Sequence, residues 1–83
     1  MKRGDIVGRV VRYLTEQIVD EPESIEVEVV DDGEGAVVAE VRTAKSDMGR
    51  VIGRRGRVAR AIRTVAAGAG DEEGLKVGVE FLD

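Results

Sequence analysis

Between two helical patterns in the middle of this chain, only Gly53, Arg54, Arg55 and Gly56 are left to turn the backbone, within the stretch VIGRRGR (Val51–Arg57). A helix that stops at Gly53 needs a left-handed residue, and glycine takes that conformation without a Cβ penalty. A second helix that starts near Gly56 aims its first amide N–H groups and the positive end of its dipole at the same turn.

The rest of the chain alternates between the two hydrophobic periods. Val7, Val10, Val11, Leu14 and Ile18 recur at helical spacing, with Asp5 placed to cap the helix and Pro22 to stop it. In SIEVEVVDD, Ile25, Val27 and Val29 alternate with glutamates, which predicts a half-buried strand. DDGEG supplies a turn, and AVVAEVRT continues as the second arm of an antiparallel hairpin. Ser46 or Asp47 is placed to cap a short helix ending at Gly53. The next helix presents Val58, Ala61, Ile62, Val65 and Ala69 on one face and Arg57, Arg60, Arg63 and Thr64 on the other, and ends in the glycines of GAGDEEG. LKVGVEFLD alternates as a third strand. The expected order is α-β-β-α-α-β, an α+β fold with a three-stranded sheet packed by three helices.

The 83 residues argue for one domain spanning 1–83, close to the lower size limit for a core without staples. The chain has no Cys and no His, which excludes disulfides and ordinary zinc sites. MKRGDIVGRVVRYLTEQ is too interrupted by charge for a signal peptide or membrane span, so a soluble cytoplasmic protein is expected. Net charge is −4, yet between Arg42 and Arg63 eight bases stand against one acid, a local +7 inside a remainder of −11. Such a polarised molecule presents a local field to a polyanion that its total charge does not cancel.

An enzyme is not expected, since carboxylates, lysines and hydroxyls alone would have to carry the chemistry, and the acids fit strand faces and turns. Asp31-Asp32 and Asp71-Glu72-Glu73 lack calcium-loop spacing, and GRRG lacks the Walker lysine and length. No cofactor and no small-molecule substrate are expected. A helix-turn-helix is a competitor, but its first helix would be only about six residues and strands flank the pair.

The sequence Val51-Ile52-Gly53-Arg54-Arg55-Gly56, with a hairpin before it and a strand after it, resembles the V/I-I-G-x-x-G hallmark of the KH domain. The element order resembles the type II arrangement. DMGRVIGRRGRVARAIRTVAAGAG, together with the earlier DEPES, resembles the small bacterial stand-alone KH proteins (KhpA-like), over essentially the whole chain. That resemblance implies binding of single-stranded RNA, about four nucleotides clamped on the loop, and a role as a post-transcriptional regulator or RNA chaperone. It also implies a homodimer, a heterodimer with a larger KH–R3H (Jag-like) partner, or both. The alternative is a protein-interaction module with the same fold in which RNA is secondary.

On this reading the RNA backbone crosses Gly53, Arg54, Arg55 and Gly56. Lys45, Arg50, Arg57 and Arg60 extend the positive field as phosphate neighbours. Bases enter a groove whose candidate walls are Ile52, Val58 and Val41, with backbone groups of AVVAEVRT on the far side; Val41 and Val58 fit the core equally well. With one Tyr and one Phe, extensive base stacking is unavailable. Weak, micromolar binding of low specificity follows.

Overall fold

The computed structural model describes residues 2–83. The period-two segments form β1 (Glu26–Asp31), β2 (Ala36–Arg42) and β3 (Lys76–Leu82), in spatial order β1-β2-β3. β1 runs antiparallel to β2, and β3 runs parallel to it. The parallel pair is possible because two helices make the crossover, α2 (Met48–Ile52) and α3 (Arg57–Glu72). With α1 (Asp5–Glu16) the order is α-β-β-α-α-β, as the sequence predicts.

Register decides which face is core. Val27, Val41 and Phe81 form one rung across the sheet, and Val29, Ala39 and Val79 the next. On this face Val37, Ala39 and Val41 are buried, and Ala39, Val41 and Val79 join Val7 and Val11 of α1 with Ile62 and Ala66 of α3 in one cluster. The core is built of valine and alanine with few large side chains, each buried valine contributing about 1.5–3 kcal/mol.

α1 starts one residue before the expected cap takes effect. Gly4 occupies the N-cap position and Asp5 lies in the first turn, accepting from the Lys2 amide at 3.0 Å. The cap comes from far away: the Glu73 carboxylate accepts from the amides of Gly4 (3.1 Å) and Val7 (3.4 Å), where it also meets the helix dipole. Glu73 therefore does more than turn chemistry. α1 also ends at Glu16, well before Pro22, because the Asp20 and Glu21 amides are drawn out of a helical path to the Asp47 carboxylate.

α3 departs from expectation in its face and its end. Its buried residues are Ala59, Ile62, Ala66 and Gly70, while Ala61 and Val65 are exposed. Small residues win the core side because the helix lies close on the sheet: a Cβ at Gly70 would collide with the Val77 side chain and sit 2.8 Å from the Leu75 carbonyl oxygen. The helix runs through Gly68 and Gly70 to Glu72, and the chain turns only at Gly74, with the Leu75 amide donating back to the Gly70 carbonyl at 2.8 Å. Among the described residues no helix is long and apolar enough to cross a membrane.

Candidate nucleic-acid interface

Val51 is fully buried and anchors α2, while Ile52 is half-buried beside the turn. Asp47 occupies the N-cap position of α2, as expected for one of the two candidates, but its side chain makes no capping hydrogen bond. Asp47, 1% exposed, instead accepts from the Asp20 amide at 3.0 Å and the Glu21 amide at 3.1 Å. Ser46 Oγ donates to Glu21 Oε2 at 3.0 Å. These bonds pin the platform under the loop to the connection between α1 and β1. Their partners lie more than twenty residues away, a separation that local sequence signals do not bridge.

The turn itself is a run of unusual backbone. Gly53 has φ 76° and ψ 171°, a region that only glycine enters readily. A Cβ there would also strike Val58, whose amide nitrogen would be 2.9 Å away. Arg55 is left-handed at φ 58° and ψ 25°, the one non-glycine with positive φ among the described residues. Gly56 closes the turn at φ 72° and ψ 17° and serves as the N-cap position of α3.

Within the turn Gly56 donates to the Gly53 carbonyl at 3.1 Å and Arg57 to that of Arg54. The consecutive left-handed residues Arg55 and Gly56 give the backbone the curled form in which successive N–H groups can face an anion. The Arg54 and Arg55 side chains are exposed, and among the described residues no carboxylate pairs with either. A curled backbone turn carrying two unpaired guanidinium groups is chemistry suited to an anion.

The predicted phosphate neighbours divide into two groups. Lys45, Arg57 and Arg60 are exposed and free of ion pairs among the described residues. Arg50 is committed elsewhere, 2.9 Å from Asp20 and 3.5 Å from Asp47, so much of its charge is balanced internally.

The expected groove wall needs correction. Val41 is fully buried in the cluster beneath the helices and presents no side chain to a groove. β2 is the central strand, laddered to β1 on one side and β3 on the other, so its backbone groups are consumed. The strands with an unladdered edge are β1 and β3. Arg42 and Leu82 stand opposite each other at the end of the sheet from which the chain passes to α2, so the edge near the loop belongs to the last residues of β3. Val58 is half-buried, packed against the core and beneath Gly53. Ile52 and Val58 lie half-buried beside the turn, and the open strand edge near them is that of β3, not of β2. One functional candidate was passed over in the sequence: Arg63 bridges α3 to this edge, its Nε donating to the Val79 carbonyl at 3.1 Å.

The sequence profile described as "KhpA/KhpB, KH domain" matches residues 8–81. This chain belongs to that family. A protein of Clostridium perfringens named RNA-binding protein KhpA is 42% identical over 72 residues, covering 87% of this chain and 95% of the relative. Its namesake in Borreliella burgdorferi is 36% identical over 73 residues, 88% of each chain. The namesake in Caldanaerobacter subterraneus is 37% identical over 76 residues, 92% of this chain and all of the relative. Among solved structures, Era in complex with MgGDPNP and a segment of 16S ribosomal RNA superposes with a TM-score of 0.65 at 19% identity, over 92% of this chain and 30% of Era. That likeness concerns the fold of this KH domain alone.

Proposed function

We propose that this KH domain is a non-enzymatic binder of single-stranded RNA that holds the RNA backbone on Gly53–Gly56. The observation that carries the reading is the glycine-bracketed turn itself, with positive φ at Gly53, Arg55 and Gly56 and two exposed guanidinium groups, Arg54 and Arg55, that no carboxylate pairs among the described residues. The shared name of the relatives supports it. Phosphates dock on the turn, Lys45, Arg57 and Arg60 extend the field, and bases lean toward Ile52, Val58 and the outer edge of β3. Three or four phosphate contacts give a slope of log K against log salt of about −2 to −3, at about −0.7 per contact on a single strand. Binding is micromolar, of low sequence specificity, and suited to a cytoplasmic RNA chaperone or post-transcriptional regulator.

The test is Arg54→Asp/Arg55→Asp, with the fold checked by circular dichroism. Fluorescence anisotropy on short single-stranded RNA should show at least a tenfold loss of affinity and a shallower salt slope. Unchanged affinity in the folded variant removes the turn as the clamp.

A second observation favours association as part of the function. Tyr13 and Val65 are 61% and 49% exposed and, with Ile6, Val10 and Leu14, border an apolar hollow between α1 and α3. A homodimer or a heterodimer with a KH–R3H protein would cover it and add avidity to a weak clamp. In sedimentation at micromolar concentration the chain alone should exceed its 8.9 kDa monomer mass, and Val65→Glu should restore the monomer. A wild-type monomer throughout the range leaves the heterodimer as the only form of association.

A further inference from the structure

Arg63 lies outside the turn, yet its position is among the best defined of the exposed bases. Its Nε–H is bonded to the Val79 carbonyl oxygen, and its guanidinium carbon sits 5.8 Å from the centroid of the Phe81 ring. These contacts fix the plane of the guanidinium while leaving the side chain exposed. No carboxylate pairs with it among the described residues. With Nε engaged, the donors on Nη1 and Nη2 remain without a protein partner among the described hydrogen bonds. α3 runs back along β3, which places Arg63 about 10 Å along the helix from Gly56 at 1.5 Å per residue. That is within reach of a strand of about four nucleotides held on the turn.

A fork held at a strand edge differs from the flexible arginines of the turn. Its paired N–H groups match two adjacent acceptors, which is the basis of bidentate arginine recognition. Guanine offers O6 and N7 side by side. Cytosine in a single strand offers O2 and N3 on its exposed pairing edge. Adenine and uracil alternate donors with acceptors on the edges that would face the fork, so one N–H would meet a donor.

We propose that Arg63 is a specificity-determining residue that selects, at one position of the bound strand, a base presenting two adjacent acceptors. The inference rests on the RNA-clamp reading above. It makes this KH domain selective at one site while the remaining nucleotides are held through their backbone.

The experiment uses the full chain and uridine-rich oligonucleotides that differ at one central base: cytosine, guanine, 7-deazaguanine, adenine or uracil. Wild-type protein should bind the cytosine or the guanine oligonucleotide at least about fivefold more tightly than the adenine and uracil ones. Loss of the preference with 7-deazaguanine assigns recognition to guanine O6 and N7; preference for cytosine alone assigns it to O2 and N3. Arg63→Gln should bind all five equally, at the affinity wild type shows for uracil. Arg63→Lys, which keeps the charge, should lose most of the preference and serves as the folded comparison if the glutamine variant melts early. Equal wild-type affinity for all bases overturns the inference, as does a uniform loss across all five in Arg63→Gln, which would make Arg63 a phosphate or packing contact. Absence of binding to every oligonucleotide by wild type overturns the clamp itself, and the inference with it.

Discussion

At the scale of single residues, the turn holds conformational cost where ligand contact is expected. Arg55 is left-handed without being glycine, which costs on the order of 1 kcal/mol. Glycine at that position would relieve the cost while adding back part of it as unfolded-chain entropy. Arg55→Gly should therefore stabilise the fold by roughly 0.5 kcal/mol, raising the melting temperature by about 3 °C, and should flatten the salt slope of RNA binding by about 0.7. A lower melting temperature would show that the Arg55 side chain supports the fold. The sequence made part of this turn legible: Gly53 and Gly56 mark positive φ, and the four surrounding arginines mark charge. The left-handed backbone at Arg55 was not legible, because arginine seldom signals that conformation.

At the scale of elements, period identified α1, α3, β1 and β3, whose spacing is regular, while β2 was read from its β-branched run and α2 from the residues that bound it. It failed on orientation. Weighting α3 by side-chain size turned Val65 inward, whereas close approach to the sheet selects Ala59, Ala66 and Gly70. Strand order was likewise beyond period: β2 is central because the crossover through α2 and α3 returns the chain to its far side, which leaves β3 as the edge opposite β1. The same register opposes Glu28, Glu40 and Glu80 on the sheet face away from the helix-packed core. Like charges directly across a sheet repel. Glu40→Gln, which keeps shape and removes the middle charge, should stabilise the domain by about 0.5 kcal/mol in thermal melts at low salt, with the gain shrinking as salt is added. No gain at low salt would mean that solvent already screens the three carboxylates.

At the scale of the whole molecule, the polarity seen as +7 against −11 in sequence takes a spatial form. The turn, the start of α3 and the outer edge of β3 gather Arg54, Arg55, Arg57, Arg60 and Arg63, while the open face of the sheet carries Glu26, Glu28, Glu40 and Glu80. A polyanion is attracted to one side and repelled from the other, so the acidity of the chain restricts where RNA settles. Backbone amide shifts of the labelled protein, followed during titration with a short single-stranded RNA, test this placement most directly. The clamp geometry predicts the largest shifts at Arg54 and Arg55, with Gly53, Gly56 and the Val79–Leu82 edge following and Glu28, Glu40 and Glu80 unmoved; shifts centred on the open sheet face or on Tyr13 and Val65, with Arg54 and Arg55 unchanged, would contradict it.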